Sequence, residues 1–203
     1  MSTFQEIPAN NLSLFGRKPI YGIGINDADY QTNHKINGKK VGCPFYVRWH
    51  SMIVRCYSAK SKAKYPTYIG CSVCDEWLTF SNFKEWMVKQ DWEGKQIDKD
   101  ILVQGNKVYS PETCLFVSSQ INSLFLDKVP CRGAYPRGVS FNKPRKMFFA
   151  ICSVRGKHKH IGCYTTSEEA HEAYKTFKYN LIAEIAVNQQ EPLRSAMLAY
   201  RIN

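Results

Sequence analysis

The chain contains no apolar run approaching the roughly 20 residues that span a bilayer. Its first residues, Met1 to Phe15, lack the basic-then-apolar order of a secretory signal. Internal repeats and low-complexity tracts are absent. Together these absences predict an intracellular protein that neither spans a membrane nor stacks repeats. Acidic residues are also scarce, with 17 Asp and Glu against 28 Lys and Arg and a formal net charge of +11. The surplus is spread along the chain and is not gathered in a tail. A diffuse excess of that size points to a polyanionic partner, of which nucleic acid is the commonest. The plain alternative is a soluble basic protein without such a partner. Eight cysteines in an intracellular chain are expected to be reduced or metal-bound, not disulfide-paired.

What remains is ordinary enough to fold. A length of 203 residues fits one large domain or two small ones. A hydrophobic share of 44% is sufficient for a buried core. Residues 1–41 read as an irregular basic arm, with Asn10-Asn11, Asn26-Asp27 and Asn37-Gly38-Lys39-Lys40 as turn chemistry. Lys35, Lys39 and Lys40 of that arm are either DNA contacts or solvated charges. Phe45, Trp49, Met52, Ile53 and Cys56 then recur at helical spacing. Leu78 to Val88 predicts a second helix that buries Phe80, Phe83, Trp86 and Met87.

One segment dominates the functional reading. Gln96-Ile97-Asp98-Lys99-Asp100-Ile101-Leu102 reads as a short strand, Gly105-Asn106 as the turn to a second strand, and Gln120-Ile121-Asn122 as the start of a helix. Alternation along a strand returns Asp98 and Asp100 to one face. Two carboxylates ending a strand, with an amide in the first turn of a helix, are the layout of a compact metal-dependent nuclease site.

The last third changes rhythm. Gly138–Phe141, Met147–Val154 and His158–Tyr164 read as three short strands. Thr166-Ser167-Glu168-Glu169 fits a capping box, and Ala170, Ala173, Tyr174, Phe177 and Leu181 form an amphipathic stripe behind it. The pieces Tyr135-Pro136-Arg137-Gly138-Val139, Phe149-Ala150-Ile151, Ile161-Gly162-Cys163-Tyr164-Thr165-Thr166 and Glu168-Glu169-Ala170-His171-Glu172-Ala173-Tyr174 are similar to the APETALA-type (ethylene-response-factor) DNA-binding domain. That resemblance implies a three-stranded sheet that enters the major groove of duplex DNA and a helix that braces its other face. It makes Arg137 the base-edge candidate, with Lys143, Arg145, Lys146, Arg155, Lys157 and Lys159 as phosphate contacts. The family's tryptophans are absent, so no sequence preference carries over. His158 and His160 alternate on one strand and are read as groove or solvent contacts.

The central segment resembles the HNH (His-Me finger) endonucleases, especially phage and homing-type forms with an APETALA-type domain behind the nuclease. Tyr46-x-x-Trp49-x-x-Met52-x-x-Arg55-Cys56, Tyr68-x-Gly70-Cys71-x-Val73-Cys74-x-Glu76-Trp77-x-x-Phe80-x-x-Phe83 and Tyr109-Ser110-Pro111-Glu112-Thr113-Cys114 carry that likeness. It implies catalytic roles for Asp98, Lys99, Asp100 and Asn122, with Asp98 and Asn122 as ligands of magnesium or manganese. The departure is Lys99, which stands where the family has its histidine base. An ammonium is a poor base unless strongly desolvated. Asp100 is then a second ligand or the base, and Lys99 a stabiliser of the scissile phosphate. Cys71 and Cys74 have chelating spacing, and Cys56 and Cys114 could complete a structural zinc site; buried free thiols are the alternative.

The expected organisation is α+β. A basic arm (1–41) precedes a ββα-metal nuclease module with flanking helices (42–127). A linker (128–133) leads to a three-stranded antiparallel sheet packed on one helix (134–187), and a C-terminal tail with helical potential follows (188–203). The expected function is metal-dependent cutting or nicking of double-stranded DNA, in the host cytoplasm if the chain is phage-encoded. The alternatives are a degenerate nuclease fold that binds DNA or a host protein without cleaving, an RNA binder, and a basic module for an acidic protein. Nothing in the sequence indicates a membrane or a particular protein partner.

Overall fold

Helices and short strands alternate along residues 4–126 and 134–202, the part of the chain that the computed structural model describes. The architecture is α+β, and the chain divides into two units, Met1–Val117 and Ser118–Asn203. The linker predicted over 128–133 lies outside the described residues. No described helix is long and apolar enough to cross a membrane.

The first unit contains α1 (Asn11–Phe15), β1 (Asn33–Ile36), β2 (Lys39–Gly42), α2 (Pro44–Tyr57), α3 (Ala59–Lys64), β3 (Ser72–Val73), α4 (Phe80–Val88), β4 (Gln96–Asp98), β5 (Val108–Tyr109) and β6 (Leu115–Val117). Pro44 occupies the first turn of α2, where a missing N–H costs nothing. Trp49, Met52, Ile53 and Cys56 follow at helical spacing and are wholly buried. They meet Phe80, Phe83 and Met87 of α4, as the periodicity predicts. Trp77 completes the centre, and its carbonyl accepts the Trp49 indole N–H at 2.7 Å. Each such side chain contributes about 1.5–3 kcal/mol through burial, so the α2–α4 cluster is the main source of stability in this unit.

Residues 4–41 are not an irregular arm. Ala28 and Tyr30 belong to the core, and β1 pairs with β2 as an antiparallel hairpin. Asn37 and Gly38 turn that hairpin with φ of 51° and 76°, the left-handed geometry that favours Asn-Gly. Arg17 supplies the order that composition concealed. Its guanidinium donates to the carbonyls of Asn26 (3.2 Å), Ala28 and Tyr30 (2.9 Å), satisfying backbone that has no ladder partner.

The second unit contains α5 (Ser119–Phe125), β7 (Val139–Asn142), β8 (Met147–Val154), β9 (Lys157–Tyr164), α6 (Ser167–Ala186) and α7 (Leu193–Ala199). The boundary falls before α5, not at 127, because α5 packs within this unit; Phe125 meets the Tyr200 ring edge-on at 4.8 Å. Strands β7, β8 and β9 form an antiparallel sheet in that order. Ala150 and Cys152 of β8 are buried with Ala170 and Tyr174 of α6. The capping box is present: Thr166 Oγ1 accepts the Glu169 N–H at 3.2 Å, and Glu169 accepts the Thr166 N–H at 3.2 Å. Gly138 has φ of +79°, and a Cβ there would lie 2.2 Å from the Tyr174 ring, so only glycine fits. The described part of the C-terminal segment, 188–202, has the helix its sequence allowed. It contains α7, buries Met197 and Ile202, and docks on α6 through the Ile202 N–H to the Tyr179 hydroxyl at 3.0 Å.

Candidate functional site

The loop after β4 is built from three polar side chains. Strand β4 pairs antiparallel with β6 and ends at Asp98. Asp98 Oδ1 accepts the backbone N–H groups of Asp100 at 2.9 Å and Ile101 at 2.8 Å, an Asx-type turn. This turn, not strand alternation, brings the Asp98 and Asp100 carboxyl groups together. The second strand of the expected hairpin is also displaced. Strand β5 leaves β4 and pairs in parallel with β3, so β6 is the partner of β4.

Lys99 is 6% exposed. Its ammonium donates to the Asn106 carbonyl at 2.8 Å, lies 3.2 Å from Asp100 Oδ2 and sits 5.8 Å from the centre of the Tyr109 ring. It therefore holds the loop from inside instead of presenting its charge at the surface. Asn106, read from sequence only as part of a turn, closes the same loop. Its Nδ2 donates to the carbonyls of Lys99 (2.6 Å) and Val108 (2.7 Å), and its Oδ1 accepts the Val108 N–H at 3.1 Å. The Gly-Asn pair in the sequence was the available signal for this staple.

The carboxyl pair is electrostatically uncomfortable. Burial pushes Asp98 up from 3.8 to about 6, and the neighbouring Asp100 charge pushes in the same direction. The two backbone N–H groups on Oδ1 oppose the rise without cancelling it. Two adjacent carboxylates suit a hard divalent ion, which is commonly held by one or two carboxylates with waters and substrate phosphate in the other positions. Among the described residues no three His, Cys, Asp or Glu side chains gather into a metal-holding group. Within the first unit the carboxyl groups available to such an ion at this loop are those of Asp98 and Asp100. Asn122, expected as a further ligand, is half-buried on α5 and belongs to the second unit.

The four cysteines of the expected zinc set lie in the first unit. Cys56, Cys71, Cys74 and Cys114 are free thiols and do not assemble as a three- or four-ligand group. Burial pushes Cys56 and Cys114 up to about 12 and also raises Cys74, which disfavours the thiolate that zinc requires. Cys56 and Cys114 are packed into the α2–α4 core.

In the second unit the register sorts the basic residues differently from the expected pattern. Lys159 stands opposite Cys152, and Lys157 opposite Val154, so both share the face that carries the buried Cys152. Lys159 Nζ lies 4.8 Å from the centre of the Phe177 ring on α6. The opposite face carries Ser140, Phe149, Ser153, His158 and His160, with the His160 ring edge-on to Phe149 at 5.0 Å. A bulge between Ala150 and Ile151 sets this register and could not be read from alternation alone. Lys143, Arg145 and Lys146 are exposed in the β7–β8 turn and Arg155 in the β8–β9 turn. These cations thus sit at the turns of the sheet. Arg137, the expected base-edge contact, is turned into its own unit. It donates to the Tyr200 hydroxyl at 3.1 Å and to the Leu126 carbonyl at 2.9 Å, and its carbonyl faces His171 Nδ1 at 2.9 Å.

Compared with protein families, with curated proteins and with solved structures, the chain matches none.

Proposed function

We propose that the chain is a duplex-DNA-binding, divalent-metal-dependent endonuclease, in which a ββα-metal-type loop on the first unit cuts and the basic sheet of the second unit holds the duplex. The carrying observation is the Asp98–Asp100 pair, two carboxyl groups brought together and kept under mutual strain by a stapled loop. Magnesium or manganese bound there would supply charge to stabilise the transition state of phosphodiester hydrolysis. Asp98 would bind the ion, and Asp100, whose side chain is 49% exposed, would share it or take a proton from the attacking water. Lys99 positions Asp100 and is not the base, because its ammonium is committed to Asn106 and Asp100.

Charge placement supports a DNA partner. Lys143, Arg145 and Lys146 in the β7–β8 turn and Arg155 in the β8–β9 turn are exposed. In the first unit exposed Lys35 stands directly opposite Lys40 across β1 and β2. A like-charge cross-strand pair is unfavourable in isolation and is relieved by a polyanion. The test is nicking of supercoiled plasmid with magnesium or manganese by wild type and by Asp98→Ala. Cleavage by wild type that the variant loses, with DNA binding intact, is the expected result.

A second reading, a DNA binder that no longer cleaves, is favoured by the buried Lys99 in place of the family's histidine. The same assay separates them: retention of the plasmid in a gel shift with no nicking by wild type establishes the second and removes the first.

A further inference from the structure

One charged side chain in the second unit has no counterpart. Lys178, on α6, is 4% exposed, and among the described residues nothing hydrogen-bonds or ion-pairs with its ammonium. A buried ammonium without a counter-charge is costly. Burial lowers its affinity for the proton; Cys152 works against that and Arg137 adds to it.

Lys178 lines a cavity of about 880 Å³. The cavity has a structural cause. Strand β7 pairs with β8 only as far as Val139↔Ala150, while β8 continues to Val154 against β9 alone. The Ile151 N–H still donates to the Gly138 carbonyl at 2.8 Å, but beyond it the flank of Cys152–Val154 has no partner strand among the described residues, which leaves room beside α6. That volume is in the range of small-molecule sites, which combine apolar walls with a few polar anchors. The walls here include Phe177, Leu181 and Val154, and the buried anchor is Lys178. Among the described residues Glu184 is the only carboxylate on the lining, and it is exposed.

We propose that this cavity binds a small organic anion, an apolar or aromatic body bearing one carboxylate or phosphate group, with Lys178 taking the anionic head. An anion entering the cavity supplies the missing counter-charge in a low-dielectric setting, where the attraction is strong. The apolar walls then select an organic body over inorganic phosphate. The site is independent of the nuclease reading and of the Asp98 loop, since it lies wholly in the second unit.

The test is calorimetric unfolding of the full chain, wild type and Lys178→Met, with benzoate, phenyl phosphate, inorganic phosphate or benzyl alcohol. In wild type, benzoate or phenyl phosphate at roughly ten times its Kd should raise the second unit's transition by about 6–11 °C. Which of the two acts identifies a carboxylate or a phosphate head. Inorganic phosphate and neutral benzyl alcohol should do much less. Lys178→Met removes the buried charge at similar volume, so it should fold and raise the unliganded Tm while abolishing the shift. Lys178→Arg, which keeps the charge, should retain part of it. No shift with either organic anion, or an equal shift in Lys178→Met, overturns the proposal. It is also overturned if both anions are silent while Lys178→Met weakens duplex DNA binding, which would assign the ammonium to a nucleic-acid phosphate.

Discussion

Replacing Asp98 by Asn should change how stability depends on pH. The folded state holds the Asp98 proton up to about 6, while the unfolded chain releases it near 3.8. Between those values the native state binds more protons, so stability falls as pH rises. The contribution of the protonated form is complete below about 3.8 and lost above about 6. At 1.36 kcal/mol per pKa unit, ionising this carboxyl in the folded state costs about 3 kcal/mol. Asn keeps the oxygen that accepts the Asp100 and Ile101 N–H groups but never ionises. All four tryptophans, Trp49, Trp77, Trp86 and Trp92, lie in the first unit, so urea unfolding followed by tryptophan fluorescence reports on this unit alone. Near pH 4 the two proteins should be about equally stable. Near pH 7.5, without divalent ions, Asp98→Asn should be more stable by about 2–3 kcal/mol. Magnesium should narrow that gap by stabilising wild type only. A gap that stays constant with pH would refute the carboxyl-pair argument, and a magnesium effect equal in both proteins would refute the metal assignment.

Four further outcomes test other parts of the molecule. Asn106→Ala removes three hydrogen bonds around Lys99 and should destabilise the first unit by about 1–3 kcal/mol, measured by the same fluorescence titration. Gly138→Ala places a methyl against Tyr174 at positive φ and should cost more than about 2 kcal/mol in the calorimetric transition of the second unit; a neutral effect would contradict the packing. Arg137→Ala should lower stability by about 1.5–3 kcal/mol through lost charged hydrogen bonds. Competition among duplexes of different sequence should show no change in their ranking, and altered site preference would restore Arg137 as a base reader. Arg145→Ala with Lys146→Ala should weaken all duplexes alike and reduce the salt slope of binding by about 2; an unchanged slope would move the DNA contact elsewhere.

How much was legible differs between regions for physical reasons. The α2 and α4 stripes, the three C-terminal strands and the α6 capping box rest on short-range periodicity and local hydrogen bonding, and all of them appear in the structure. The first 41 residues looked unstructured because their order comes from long-range contacts. Arg17 reaches carbonyls up to 13 residues away, and Tyr30 packs into a core assembled from α2 and α4. Asp98 was found from its position at a strand end. Its turn, and the burial that raises its pKa, depend on groups beyond its immediate neighbours in sequence. The CxxC spacing of Cys71 and Cys74 is a local signal, whereas chelation depends on how the thiols of Cys56 and Cys114 converge on them, which spacing alone does not fix.

By itself the sequence determined a basic, two-part α+β chain, the positions of its principal helices and strands, and the candidacy of the Asp98-Lys99-Asp100 segment. Only the tertiary structure decided how those residues are held. It buried Lys99 as a loop support and joined Asp98 to Asp100 through a turn. It turned Arg137 inward and shifted the sheet register with a bulge, so that Lys157 and Lys159 share the α6 side. Lys178 was left unpaired in a cavity. Spacing along a chain dictates which residues share a face of one element. Burial, and therefore charge state and accessibility, depends on what the neighbouring elements place against that face.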